Sequence, residues 1–440
     1  MIERTVHEPL HETIIHTRMR SGLDVVALPK PGFSRKAATL LVPFGSIDNM
    51  IVLDKNNQRT IFPEGTAHFL EHMLFENTQV DMSRMFSLLG ASVNAYTTFN
   101  RTAFYFSTTN GIEAPLKLLF DMLMKPDFSL TAIEKERAII EKEIDMYQDE
   151  VEQSLFYDLM NGLYWKNPIR NDIAGRKESL YHITSELLQT ALRVFYHPKN
   201  MLLVLSGDFP IEETFKQLEQ HPFCQKKPPY FKYHIEPDWE ENRVHKALKR
   251  VKKDLRTDLV MLGIKIFRNR IYEPLEAALE EMKMMLLMDN YLGSASAHQE
   301  QMQKAGLINN TFEISVSSEA TFSHVLLFTE TKKADLTIAK WKNLLALIRD
   351  FLPNEGDFIA QKQKIMGSFV QLFDSVTQAN ALLSDYYLKG INLFDLLQAV
   401  DRLEVGDLLQ TAEILSDSPM AIVHYYSADS SANRIKRVKS

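Results

Sequence analysis

At 440 residues the chain is too long for one compact core, and two domains of about 200 residues each are expected. Hydrophobic residues make up 45% and charged residues 24%, which is ordinary for a globular protein. A net charge of −7 argues against non-specific binding to nucleic acid or an anionic membrane. The lone cysteine, Cys224, excludes an intrachain disulfide and a cysteine-rich zinc site.

The first residues, Met1-Ile2-Glu3-Arg4, lead into polar sequence without the apolar core of a signal peptide. The longest aliphatic runs, such as 201–205, are strand length, far short of a membrane span. A cytoplasmic chain with no membrane insertion is the expectation.

Residues 22–29 and 37–43 read as strands, the second closed by Gly45-Ser46. Pro63-Glu64-Gly65 then delivers the chain to a helix carrying His68-Phe69-Leu70-Glu71-His72. On a helix His68 and His72 leave one face a turn apart, and Glu71 falls on the same face. Two imidazoles that share a cation, with a carboxylate beside them to take a proton from water, are what zinc hydrolysis requires. The order, H-x-x-E-H, mirrors the commoner H-E-x-x-H.

Residues 81–89 form a further predicted helix stopped by Gly90, and 92–96 with 102–108 alternate as a strand pair. An amphipathic helix over 112–124 precedes an acidic helical pattern over 131–147. A third zinc ligand is expected there. Glu136, Glu143 and Glu150 share one stripe by their spacing of seven, and Glu134 and Glu141 share another. Residues 185–196 read as a helix that His197 caps at its C-terminus, and 201–206 as the strand closing the first domain.

The proline-rich stretch 222–245 is the expected linker between a zinc-binding domain, 1–221, and a second domain, 246–440. A basic run over 246–256 reads as a solvated strand edge. Predicted strands at 259–267, 311–316 and 325–329 and helices at 273–291 and 336–351 repeat the order of the first half faintly.

The stretch Gly65 to Phe75 resembles the signature of the pitrilysin-type zinc metallopeptidases, the inverzincins, which include mitochondrial processing peptidase and the insulin-degrading enzyme. Asn94-Ala95-Tyr96-Thr97, followed by Arg101-Thr102-Ala103-Phe104-Tyr105, resembles the family's Asn-Ala-x-Thr edge strand. Glu136-Arg137 followed by Glu143 resembles its third-ligand helix. Among bacterial members the similarity is greatest to the small paired peptidases of Gram-positive bacteria.

The resemblance implies an α+β fold: two homologous α/β-sandwich domains, each a mixed sheet with helices packed on it, facing each other across a cleft. It implies His68, His72 and Glu143 as Zn²⁺ ligands, Glu71 as the general base, and Glu136 as a carboxylate that orients the site. Asn94, Ala95, Tyr96 and Thr97 are implied as the strand that holds the substrate backbone. Self-sufficient members carry an Arg and a Tyr seven residues apart in the second domain. Aligned on Gly306, those positions here are Glu300 and Leu307, neither of which can donate to an oxyanion at neutral pH. The expectation is a zinc endopeptidase subunit for short or unfolded peptides, such as leader peptides, whose related partner chain supplies the missing pair in a heterodimer. A non-catalytic zinc-binding structural subunit and a self-sufficient homodimeric peptidase are the alternatives.

Overall fold

The computed structural model describes residues 2–7, 10–54, 57–75, 81–124, 126–225, 229–236 and 239–427. Parts of the expected linker, 226–228 and 237–238, and the end of the expected second domain, 428–440, lie outside the described residues.

From the N-terminus the elements are β1 (Ile2–His7), β2 (Glu12–Arg18), β3 (Asp24–Pro29), β4 (Lys36–Val42), β5 (Met50–Leu53), β6 (Gln58–Ile61), α1 (Thr66–Phe75) and α2 (Met82–Leu88). There follow β7 (Ala91–Thr97), β8 (Thr102–Thr108), α3 (Glu113–Met124), α4 (Leu130–Asp149), α5 (Val151–Leu163), α6 (Lys177–Leu180), α7 (Ser185–Phe195) and β9 (Leu202–Gly207). Next come α8 (Ile211–Gln220), α9 (Pro222–Gln225), β10 (Tyr233–Ile235), β11 (Leu248–Lys252), β12 (Asp258–Lys265), α10 (Pro274–Leu292) and α11 (Ala297–Lys304). The chain ends with β13 (Glu313–Ser318), β14 (Ser323–Thr331), α12 (Ala334–Leu347), α13 (Glu355–Phe373), α14 (Val376–Leu388), α15 (Leu393–Asp401), α16 (Leu408–Asp417) and β15 (Met420–Tyr426). The architecture is α+β, as expected. Among the described residues no helix is long and apolar enough to cross a membrane.

The chain folds into two compact units, and neither is contiguous in sequence. The first comprises Met1–Met146, Asn171–Glu236 and Ser368–Phe394; the second comprises Tyr147–Arg170, Pro237–Gly367 and Asp395–Ser440. Instead of one crossing near 222–245, the chain leaves the first unit at 147, returns at 171, and returns again at 368. Each unit therefore takes one helix from the other half of the sequence.

In the first unit the main sheet has the order β1-β2-β3-β9-β4-β8-β7. β3 runs parallel to β9, while β9, β4, β8 and β7 are antiparallel neighbours. A small sheet, β10-β5-β6, stands apart from it. In the second unit the sheet order is β11-β15-β12-β14-β13, again with one parallel pair, β11 and β15, and antiparallel pairs beyond it. The five-strand frame β3-β9-β4-β8-β7 is thus repeated strand for strand, which confirms two homologous domains.

Central strands β9 and β12 are buried at every position, so both faces must be covered. On the first unit's sheet, α14 packs against β9 and β4. There Asn380, 2% exposed, accepts from Thr39 Oγ1 at 2.5 Å and donates to Val204 O at 3.0 Å and Ser206 Oγ at 3.1 Å. On the second unit's sheet, α5 packs against β15 and β12. Gly263 admits it, because a Cβ there would meet Leu163 Cδ1 at 2.7 Å. The basic run lies on β11, where Lys249 pairs with Asp158 and Arg250 with Asp335 inside the second unit. His197 is not the C-cap of α7, which is Tyr196. Its Nδ1 instead accepts from Lys199 N at the head of the turn that follows.

Candidate metal centre

Helix α1 presents two opposed arcs. Phe69, Leu70, Met73 and Leu74 are buried in the core of the first unit, and this sets the roll of the helix. His68, Glu71 and His72 occupy the other arc. On α4, buried Ile133, Ile140 and Ile144 anchor one side of the helix, and Glu136 and Glu143 stand on a neighbouring stripe.

These two helices bring together the three residues expected to hold the metal. One donor atom each from His68, His72 and Glu143 lie within 4.8 Å of one another. Glu143 Oε2 is 3.5 Å from His72 Nε2 and 3.8 Å from His68 Nε2. Ligands about 2.0–2.2 Å from one tetrahedral zinc stand roughly 3.3 Å from each other, so the donors present fit the ion with small adjustment.

Electrostatics fits as well. Burial, helped by the nearby His72, pushes the His68 pKa down to about 3 and keeps this imidazole neutral, as a ligand must be. Its Nδ1 is buried with no hydrogen-bond partner among the described residues. Burial opposes charge on His72 too. There it is outweighed by the hydrogen bond to Glu136 and by the carboxylates of Glu71, Glu136 and Glu143, so the pKa rises. Three carboxylates around two imidazoles make a site whose negative charge a divalent cation offsets.

Glu136 is 1% exposed and accepts from His72 Nδ1 at 2.8 Å. The bond leaves His72 Nε2 toward Glu143. Glu71 is 7% exposed, and burial raises its pKa against the opposing effects of Thr97 and His72.

The Asn94–Thr97 segment lies on β7, the last strand of the sheet, which pairs with β8 alone among the described strands. Thr97 does more than line that strand: its Oγ1 donates to Glu71 Oε2 at 2.8 Å. Strand alternation sends Asn94 and Tyr96 to the opposite face. There Tyr96 lies 5.9 Å from Tyr105 and beneath the guanidinium of Arg101. Asn94 Oδ1 accepts from Ala95 N at 2.8 Å. The structure thus brings Thr97 to the metal helix and keeps the Asn94 and Tyr96 side chains away from it. The Thr97–Glu71 bond was missed in the sequence, although the period-two alternation of β7 already separates Thr97 from Tyr96.

The meeting of two histidines and a glutamate beside Glu71 is a donor set that fits zinc in the H-x-x-E-H arrangement. The pattern of the insulinase family, peptidase family M16, matches residues 60–177. The chain is 33% identical over 411 residues to YmfH, an uncharacterised zinc protease of Bacillus subtilis, covering 93% of this chain and 95% of that one. It is 23% identical over 431 residues to the mitochondrial-processing peptidase beta subunit of Blastocladiella emersonii, covering 92% and 87%. A crystal structure assigned to an M16-like peptidase from Alicyclobacillus acidocaldarius matches with a TM-score of 0.89 at 25% identity, over 95% of this chain and 99% of that one. The chain belongs to the M16 peptidase family, whose metal is zinc.

Proposed function

We propose that this chain is a zinc endopeptidase subunit that hydrolyses short or unfolded peptides, with His68, His72 and Glu143 as the metal ligands. The observation that carries the reading is the meeting of those three donors beside a buried Glu71. Bound there, zinc would supply a Lewis acid that lowers the pKa of water toward neutrality. Glu71, aimed by Thr97, accepts the proton of the attacking water and returns it to the leaving amine, so that water and a peptide bond become a carboxylate and an amine. Glu136 holds the His72 ring throughout. The open edge of β7 pairs with the substrate backbone, which favours extended, unfolded chains.

A partner of related fold completes the enzyme. Support comes from Glu300 and Leu307, where self-sufficient members of the family place the Arg and Tyr. The Glu300 carboxylate pairs with Lys304 one turn along α11, and Leu307 is apolar. Neither is a donor for an oxyanion. The YmfH and processing-peptidase names fit this reading, the second because it denotes a subunit.

Glu71→Gln tests the mechanism. The variant is expected to retain zinc and lose about 10²–10⁴-fold in peptide turnover. Metal analysis and turnover, measured on the complex from the native host, decide it, and near wild-type turnover would sink the proposal.

A further inference from the structure

Two glycines meet where α1 begins. Gly65 has φ +86°, and a Cβ there would lie 2.4 Å from Ala174 O. Gly175 has φ +78°, and a Cβ there would lie 2.6 Å from Glu64 O. Both need the left-handed region, Gly65 sits against the backbone of Ala174 and Gly175 against that of Glu64 and Gly65, so a side chain at either forces the two segments apart. Around this contact, Glu64 accepts from Arg176 Nε at 2.8 Å and from Asn171 Nδ2 at 3.0 Å, and Ser179 Oγ donates to Glu64 O at 2.9 Å.

The same segment also grips α4. Arg137, next to Glu136, donates from Nε to Leu180 O at 3.2 Å, and its guanidinium lies 5.0 Å from the Tyr181 ring. Lys177 pairs with Asp145, two residues past Glu143. Leu180 is fully buried, so this grip is rooted in the core.

We propose that residues 171–181 form a strap that sets the separation between the helix carrying His68 and His72 and the helix carrying Glu143. One end holds α1 three residues before His68, and the other holds α4 one residue from Glu136. The hydrogen bonds and ion pair named above end on Glu64, Arg137 and Asp145 rather than on the donor atoms. The strap's work is to preorganise those atoms, so that the ion meets ligands already spaced to receive it. The proposal rests on the metal-ligand reading above and adds the residues that position it.

Gly175→Ala in the full chain tests the strap. Zinc affinity, measured by competition with a chelator, is expected to fall about 10–100-fold, as for loss of a residue that orients a ligand. Turnover is expected to fall about 100-fold, as for a roughly 1 Å misplacement, with KM nearly unchanged because β7 is untouched. Circular dichroism checks that the variant is folded. Should it not fold, Arg176→Ala and Arg176→Lys decide: Ala should weaken zinc binding several-fold, and Lys, which keeps a donor to Glu64, should restore most of it. A folded Gly175→Ala, or failing that an Arg176→Ala, that binds zinc like wild type overturns the strap. If wild type binds zinc and His72→Ala does not, that failure leaves the ligand assignment standing. If wild type binds no zinc, both readings fall.

Discussion

The two units share a five-strand frame and differ in the helix that follows its second strand in sequence. In the first unit that helix is α1, with His68, Glu71 and His72 on its open arc. In the second it is α10, which carries no histidine and buries Met282, Met284, Leu286, Leu287 and Met288. Two of α10's acidic residues are committed to ion pairs, Glu276 with Arg270 and Glu280 with Arg268. The comparison teaches that the frame confers no chemistry. A helix at that place becomes a metal centre only when its open face carries donors and a second helix brings a carboxylate to meet them.

The sharpest way to break the contrast is the Glu71→Gln exchange, which should abolish the activity proposed for the first unit while zinc binding persists. Next is Glu136→Gln. Without the carboxylate that receives His72 Nδ1, zinc affinity should drop about 10–100-fold, and a chelator titration reads it. An unchanged affinity would show that the buried bond does not orient the ligand.

The units also differ in how their sheets are covered. Asn380 of α14 is a polar knob on the first, whereas Gly263 lets α5 sit close on the second. Asn380→Ala should therefore destabilise the first unit by about 1–3 kcal/mol, because Thr39 and Val204 O lose a buried partner. A lowered urea midpoint measures it, and no shift would refute it.

A last effect probes the second unit by pH. In the second unit, burial holds His324 at a pKa of about 4, below its ordinary 6.5. Above about pH 6.5 the ring is neutral whether or not the chain is folded. Between 6.5 and 4 only the unfolded chain takes the proton, so acidification weakens the fold by up to about 1.4 kcal/mol per pH unit. Below 4 the loss levels off. Urea midpoints at pH 8 and pH 5 should differ less for His324→Gln than for wild type, and an equal difference would rule His324 out.

Much of the candidate site was legible because helical spacing is a local property. His68 and His72 lie on one face in any helix, and the seven-residue interval between Glu136 and Glu143 does the same for α4. The resemblance to a family was then needed to choose Glu143 over the other carboxylates of that helix. The His72–Glu136 pair spans 64 residues and the Thr97–Glu71 bond 26, and neither separation has a sequence period. Gly65 and Gly175 read as ordinary loop glycines until their backbones are seen in contact.

The second half shows the same limit. Five of its elements, β12, α10, β13, β14 and α12, were recognisable one by one, and so was their faint repetition, whereas nothing from 352 onward was assigned. Helices α5 and α14 were not assigned at all, and that each joins the unit of the other half has no local signal, since an amphipathic helix records only that it has an apolar face. Local sequence determined the helix that carries the histidine pair and the strand pair that follows it, and the resemblance implied the strand's hold on a peptide and the lack of donors at 300 and 307. Tertiary structure alone showed the Thr97–Glu71 bond, the Gly65–Gly175 contact and which helix closes each sheet, because those depend on contacts between residues far apart in the chain.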